Sequence, residues 1–232
     1  MTVVLALRCA DGLVLGADSQ ITDADRGLIY PARKLHRLGD HAAWGGSGAR
    51  AVLTELEGMF DANPTPIVEA SDPGHALQDV VLPVLRRHYD NFVVEVPGKA
   101  AGGATPATYV LAAGYSGDEP FIVDLDPHGL IGRYEVVGFH AVGSGAAMAQ
   151  QAGVLLAQYR MIERSVDHGV AAVMRVLVAL DRTSPSIGGP LNLCRMTPDG
   201  AHDLDETEVA QARERVRRWV ELEQRALDDL FE

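Results

Sequence analysis

Short apolar runs that alternate with pairs of longer amphipathic segments constrain the fold of this chain more than any other feature. The runs are rich in β-branched and aliphatic residues and carry few charges, as is typical of strands buried on both faces. They lie at 2–9, 13–17, 34–38, 41–44, 108–116, 120–125, 130–137, 139–142 and 191–196. Apolar residues recur at helical spacing in 49–60, 75–92, 146–161, 166–180 and 205–231. This order predicts an α+β fold in four layers, an αββα sandwich of two sheets with a helix pair outside each.

The length of 232 residues suits one compact domain, because a unit of this size can bury most of its apolar surface. We place that domain at 1–204 and a C-terminal helical extension at 205–232. The polar or Pro- and Gly-containing segments 23–31, 61–74 and 95–106 are predicted to be loops. In the extension, Trp219 stands among charged residues, and two interpretations stay open: a helix packed on the domain, or a contact with another subunit through Trp219, which we slightly favour.

The charge balance limits the partners of the chain. It holds 32 acidic and 20 basic residues, a formal charge of −12, which argues against nucleic acid or an anionic membrane as a partner. No stretch approaches the length of about 20 apolar residues that a membrane span needs, so we expect a cytoplasmic protein. Cys9 and Cys194 lie in apolar runs and are interpreted as buried thiols. We expect no metal and no cofactor.

Thr2 follows the initiator methionine and offers an unusual chemistry. If Met1 is removed, Thr2 carries a hydroxyl nucleophile and a free α-amine on one residue. An α-amine titrates near neutrality, with a pKa of about 7.7–8.0, and can therefore accept the hydroxyl proton. A nearby ammonium would lower the pKa of that amine and stabilise a developing alkoxide, and Lys34 is the candidate for that charge.

The sequence around these residues resembles a known family. The stretches 12–22 and 33–38 and the glycine-rich 45–49 resemble the proteasome β subunits, which are N-terminal-nucleophile hydrolases with an αββα fold. The family pattern is a threonine, an aspartate sixteen residues on, a lysine sixteen beyond that, and a glycine-rich turn before a helix. The resemblance implies that Thr2 is the nucleophile and that Asp18 and Lys34 form its supporting ion pair.

Four more residues take catalytic roles from the same resemblance. Gly48 stands before a predicted helix whose unpaired N–H groups favour negative charge, so its amide is a candidate oxyanion donor. The glycine-flanked Ser144 would orient the threonine amine, although local rules allow a helix cap instead. Asp181 and Ser184 match an aspartate and serine near the nucleophile. They could equally close a helix, and the two extra residues before 188–189, with the proline at 185, leave Ser186 as an alternative to Ser184.

Register with the family also implies residues that bind substrate. Ala32, Gly46 and Thr54 would line the pocket for the side chain before the cleaved bond, and Thr22 would pair with the substrate backbone. Gly46 suggests a roomy pocket. With Arg50 nearby, we expect an acidic or apolar side chain.

The leading hypothesis is a threonine-type endopeptidase that acts on peptides or unfolded proteins. The resemblance implies a homo-oligomeric ring, with a separate ATPase or adaptor possible because nothing in the chain resembles an ATPase. The extension and the Ser-Pro-Ser insertion resemble the bacterial proteasome-like branches, including the ancestral β-subunit (Anbu) type. Two alternatives stay open: an amidase acting on a small amide, and a non-catalytic ring or scaffold subunit. Activation is expected to need only the removal of Met1.

Overall fold

Two five-stranded antiparallel sheets form the centre of the molecule. The computed structural model describes residues 2–23, 28–95, 97 and 105–232. The first sheet has the strand order β10-β1-β2-β11-β12 and the second β5-β6-β7-β8-β9. The strands of the first sheet are β1 (Val4–Arg8), β2 (Leu13–Ala17), β10 (Phe139–Val142), β11 (Asn192–Thr197) and β12 (Gly200–Asp203). Those of the second are β5 (Leu35–Leu38), β6 (Ala42–Gly48), β7 (Thr108–Ser116), β8 (Glu119–Leu125) and β9 (Ile131–Arg133).

Helices cover the outer face of each sheet. The helices α1 (Arg50–Ala62), α2 (Thr65–Val68) and α3 (Pro73–Asp90) lie on the second sheet, and α3 runs on through Pro83. The helices α4 (Ala146–Gln158) and α5 (Val166–Thr183) lie on the first sheet, with a 3₁₀ turn at Met161–Glu163 between them. The predicted four-layer αββα sandwich is therefore confirmed. None of the helices in the described ranges combines the length and the apolar character that crossing a bilayer would require.

Alternation along the strands explains why the layers stack in this order. In β1, Leu5 and Leu7 face the helices, whereas Val4 and Ala6 face the opposite sheet. Successive side chains of a strand point to opposite faces, so a strand buried on both faces must be apolar at nearly every position. All four residues are at most 3% exposed. The continuous apolar pattern that predicted central strands thus follows from three stacked cores, one between the sheets and one under each helix layer.

The C-terminal helix α6 (Glu206–Asp229) packs on the outside of α5. Asp205 caps it in a capping box with Glu208, as the predicted helix start suggested. Ala212 and Val216 are buried in the same core as α5. The division of the chain at residue 204 remains a proposal, since α6 shares this core.

Two of the expected loops contain regular structure. The segment 61–74 includes the short helix α2 (Thr65–Val68), so the loop prediction was wrong there. The segment 23–31 includes β4 (Leu28–Pro31), which pairs with β3 (Gln20–Asp23) as a two-stranded ribbon, so the loop prediction was wrong there. The sequence did not reveal this strand because the segment is polar and ends in proline. A two-stranded ribbon needs no buried face and therefore leaves no apolar pattern. Residues 24–27, most of the predicted turn at 95–106, and Met1 lie outside the described residues.

Two strand predictions also needed correction. The run 130–137 forms only the three-residue β9, because Val136 and Val137 are exposed in a turn and hydrophobicity without a partner strand does not extend a ladder. Conversely, the polar strand β12 was missed. It pairs with β11 at the sheet edge, where one face stays in solvent.

Candidate active site

Thr2 lies at the open end of the central strand β1. This strand is paired on one side with β10 and on the other with β2, and Val3 and Val4 are fully buried. The Thr2 carbonyl accepts a hydrogen bond from the Gly145 amide at 3.0 Å. The Thr2 nitrogen donates to Ser144 Oγ at 2.9 Å. The start of the chain is therefore fixed at both its nitrogen and its carbonyl, while the Thr2 side chain remains partly exposed.

Gly143 makes this close approach possible. Its φ of +98° belongs to the region that favours glycine. A Cβ at this position would collide with the Thr2 carbonyl. Residues 143–145 thus wrap around the chain start, which brings the Ser144 hydroxyl to the Thr2 nitrogen.

A buried ion pair lies directly behind Thr2. The Lys34 ammonium is 2.9 Å from both carboxyl oxygens of Asp18 and donates to the Gln20 carbonyl at 2.6 Å. Asp18 is fully buried, and Lys34 is 6% exposed. Burial lowers the pKa of Lys34 below its ordinary value, and the attraction of Asp18 opposes this shift.

Asp18 connects the lysine to the start of the chain. Its Oδ1 accepts from the Val3 amide at 3.0 Å, and its Oδ2 accepts from the amides of Gln20 at 3.2 Å and Gly188 at 3.4 Å. Charge-assisted hydrogen bonds of this kind are among the stronger ones in proteins. One carboxylate therefore fixes the lysine, the residue that follows Thr2 and the turn at 188 relative to one another.

Gly48 ends β6 immediately before α1. Its φ is +133°, and a Cβ would collide with the Ala107 carbonyl, so no other residue fits this backbone without strain. The N-cap residue Ala49 provides no side-chain cap, which leaves the first N–H groups of α1 available to a negative charge. Gly48 is exposed and shares a cavity wall with Thr2.

That cavity has a volume of about 300 Å³. It is bounded by the start of the chain, β5, β6 and α1, and its wall includes Thr2, Lys34 and Gly48. Three of the four predicted substrate-binding residues line it: Ala32, Gly46 and Thr54. Thr22 does not. It is exposed on β3, and its hydroxyl accepts a hydrogen bond from the side-chain amide of Gln20 at 3.4 Å.

The space beside Gly46 is not vacant as the sequence suggested. The Leu53 side chain packs directly over Gly46, where a Cβ would otherwise lie. Leu53 itself lines the cavity. The pocket is therefore narrowed by α1 at this point, and the expectation of a roomy pocket was wrong.

The far end of the cavity consists of an aromatic pair and a carboxylate. His36 stacks on Trp44 with ring centroids 5.0 Å apart and planes inclined by 24°. Its Nδ1 lies 3.0 Å from Glu57 Oε1. Burial is the main reason that the pKa of His36 lies below its ordinary value of 6.5, although Glu57 opposes the shift.

Asp181 and the nearby serines lie behind the cavity rather than on its wall. A Cβ on Gly188 would be 2.9 Å from both Asp181 Oδ1 and Gln20 Oε1, so Asp181 stands next to the turn that binds Asp18. The buried Ser184 hydroxyl has no hydrogen-bond partner among the described residues. Ser186 is half-buried, and none of these three described residues reaches the cavity wall.

Known proteins of similar sequence include proteasome subunits. The chain is 26% identical over 228 residues to a proteasome subunit beta of Archaeoglobus profundus, and the aligned region covers 94% of each chain. It is 24% identical over 237 residues to proteasome subunit beta 2 of Thermomonospora curvata, with 93% of this chain and 76% of that protein covered. No protein-family model matches the chain.

Solved structures of Anbu superpose on the whole chain. A Gly-1 mutant of Anbu from Hyphomicrobium sp. strain MC1 has a TM-score of 0.73 at 17% identity, with both chains fully covered. Anbu, the ancestral beta-subunit, from Yersinia bercovieri has a TM-score of 0.71 at 14% identity and covers 99% of this chain and 96% of its own. The chain is similar in sequence to proteasome β subunits and has the fold of the Anbu structures.

The sequence missed several residues of this proteasome-like site. One is Gln20, whose side-chain amide donates to the Pro185 carbonyl at 2.9 Å and so links β3 to the 184–188 turn. The others are His36 and Glu57, which line the cavity. A signal for Glu57 existed, because positions 50, 54 and 57 share one face of α1. His36 could be placed only once the register of β5 with β6 was known.

Proposed function

We propose that this proteasome-like chain is a threonine-type endopeptidase whose nucleophile is Thr2 after removal of Met1. The observation that carries the proposal is the shared carboxylate of Asp18, which bonds both the Val3 amide next to Thr2 and the buried Lys34 ammonium. A scaffold would gain little from a buried ion pair at this place, since such pairs are rarely net stabilising.

The geometry supports a two-step acyl transfer. Thr2 Oγ attacks the peptide carbonyl while its own α-amine accepts the hydroxyl proton, and the amine then gives that proton to the leaving amine. The Gly48 amide at the start of α1 stabilises the oxyanion. Water then hydrolyses the ester on Thr2 and regenerates the hydroxyl. No metal or cofactor is needed for either step.

Other residues have supporting roles in this proposal. Ser144 orients the amine through the contact that it makes with the Thr2 nitrogen. Asp181, with Ser184 or Ser186, stiffens the turn whose Gly188 amide bonds Asp18. Ala32, Gly46 and Thr54 contact the substrate side chain. Thr22, being exposed on the β3 ribbon, could pair with the substrate backbone only outside the cavity.

The assembly is also part of the proposal. Because relatives are named as proteasome subunits, we propose a cytoplasmic homo-oligomeric ring, with peptides or unfolded proteins as substrates and a separate ATPase or adaptor as a further partner. Trp219 does not support the predicted contact between subunits. It packs within the chain, edge-on to Tyr159 with centroids 5.2 Å apart and 4.3 Å from the Arg175 guanidinium.

Intact mass and a threonine-directed electrophile test the function. We expect the purified protein to lack Met1 and to gain one adduct, which Thr2→Ala abolishes and Thr2→Ser retains. Thr65→Ala is the matched control, because Thr65 is an exposed threonine of α2 that does not line the cavity. A fusion that is cleaved to expose Thr2 supplies the mature amine if Met1 is retained.

The alternatives predict different outcomes. An unreactive protein with Thr2 exposed would contradict the peptidase and favour the scaffold. An adduct on Thr2 with turnover of small amides, but of no peptide, would favour the amidase.

A further inference from the structure

The wall of the Thr2 cavity changes character along its length. Close to Thr2 it consists of backbone and small residues, with Arg50 at the first turn of α1. Further in, β5 and β6 present the directly paired residues His36 and Trp44. On α1, Glu57 follows Arg50 by about two turns, or roughly 10 Å along the axis. Arg50 and Glu57 therefore stand at opposite ends of the part of α1 that lines the cavity.

The cations on this wall are mostly neutralised within the chain. Lys34 is paired with Asp18, and Arg33 lies 3.1 Å from Asp203. Arg50 is exposed at the mouth and donates to the Tyr30 hydroxyl at 3.1 Å. Charges in such exposed positions are well screened by water. The charge of Arg33 still reaches His36, where it is one of the causes that lower the pKa of the imidazole.

Glu57 is the one carboxylate among the described residues that line the cavity. Its Oε1 contacts His36 Nδ1 at 3.0 Å, and no lysine or arginine of the described ranges pairs with it. Burial favours the neutral form of His36 and lowers its pKa, and a neutral imidazole can donate to Glu57 without cancelling the carboxylate charge. The side chain of His36 is 13% exposed and that of Glu57 is 42% exposed, so the carboxylate is held by His36 on one side and open to a partner on the other.

The walls between the mouth and Glu57 suit a long, unbranched stem. Leu53 narrows the passage over Gly46, and the buried ring of Trp44 forms part of the wall beyond it. Lysine and arginine pack aliphatic stems along apolar surface while their charged ends reach a polar partner. A glutamate in the substrate is shorter, and at full reach it would approach the like charge of Glu57.

We infer that this cavity receives a lysine or arginine side chain of the substrate, on the amino-terminal side of the cleaved bond, and that Glu57 recognises its charge; the inference rests on the proposed function. This inference differs from the expectation drawn from the sequence, where Arg50 suggested an acidic or apolar side chain in the substrate. His36 is a positioning residue, since it holds the Glu57 carboxylate against the Trp44 wall. Peptides rich in basic residues are the corresponding substrate class, and the formal charge of −12 would attract them.

Three peptide amides that differ only in the residue before the cleaved bond test the inference. They carry lysine, norleucine or glutamate, and norleucine is lysine without its charge. We expect kcat/KM for the lysine peptide to exceed that for the norleucine peptide by about tenfold, and Glu57→Gln to remove this ratio, as the loss of one charge-assisted hydrogen bond implies. Formation of the Thr2 adduct in Glu57→Gln, followed by intact mass, reports on the Thr2 machinery separately from recognition of the substrate side chain.

Asp79→Asn is the matched control. Asp79 lies on α3, is exposed and does not line the cavity, so the lysine-to-norleucine ratio should change less than twofold. Equal rates for lysine and norleucine, or a preference for glutamate that Arg50→Gln removes, would overturn the inference while leaving the peptidase intact. Absence of hydrolysis together with absence of an adduct on Thr2 would overturn the proposed function as well.

Discussion

At the scale of single residues, Asp18 and Lys34 are the most deeply buried ion pair among the described residues. Asp18 and Lys34 are both nearly inaccessible, and Asp18 accepts hydrogen bonds from three backbone amides in addition to the lysine. Desolvation makes such a pair expensive to form and more expensive to break. The pair is therefore explained better by the chemistry at Thr2 than by stability.

Replacing Lys34 by methionine separates these two contributions. Lys34→Met keeps much of the side-chain volume but leaves the Asp18 carboxylate buried without its cation. We expect a loss of about 3–5 kcal/mol in the free energy of unfolding, measured by urea denaturation, and loss of the Thr2 adduct.

The double variant Lys34→Met with Asp18→Asn is the control. It should recover most of the stability, because no unpaired charge remains, but none of the reactivity. If the double variant reacted with the electrophile as fast as the wild type, the ion pair would have no role in activating Thr2.

At the scale of elements, α6 is held to the domain by a polar cluster as well as by its apolar stripe. The Glu223 carboxylate accepts hydrogen bonds from both terminal nitrogens of Arg175 and from the hydroxyl of Tyr159. Trp219 completes the cluster under the guanidinium. Such a bidentate pair fixes the angle at which α6 crosses α5.

This cluster makes the docking of α6 dependent on pH. The hydrogen bonds from Arg175 are the main cause that lowers the pKa of Glu223 to about 2 from its ordinary 4.5. A carboxyl whose folded pKa is lowered stabilises the fold above pH 4.5 and loses that contribution as pH falls towards 2. The difference in urea midpoint between wild type and Glu223→Gln should therefore be largest at pH 7 and shrink by pH 3.

The variant Glu221→Gln serves as the control for this series. Glu221 lies on the same helix and is exposed, so its replacement should leave the midpoint nearly unchanged at both pH values. A Glu223→Gln effect that is the same at pH 7 and pH 3 would contradict the assigned role of the ion pair.

At the scale of the whole molecule, the two thiols report on the integrity of two different cores. Cys9 lies in the core between the first sheet and its helices, and Cys194 lies between the two sheets. Both are at most 3% exposed. Neither forms a disulfide, in agreement with the prediction of buried thiols.

Both thiols should be inert until the chain unfolds. Burial raises the pKa of each thiol to about 12 from 9.0, so at pH 8 the reactive thiolate is almost absent. We expect iodoacetamide at pH 8 to label neither cysteine in the native protein and both in urea, as followed by intact mass. Because a raised folded pKa favours the neutral form, the stability that the thiols contribute is present below pH 9 and is lost as pH rises towards 12. Rapid labelling of one thiol in the native protein would show that its core opens locally.

The sequence by itself determined the layers of this protein and the spacing of Thr2, Asp18 and Lys34. Strands buried on both faces must be apolar throughout, and helices against a sheet must be apolar on one side, so both leave local patterns such as 108–116 and 49–60. Tertiary structure alone decided which distant residues meet: the strand pairing that sets His36 beside Trp44, the packing of Leu53 over Gly46, and the burial of Ser184. These depend on register and on side-chain volumes across elements, and a contact between two elements leaves no periodic trace in either one.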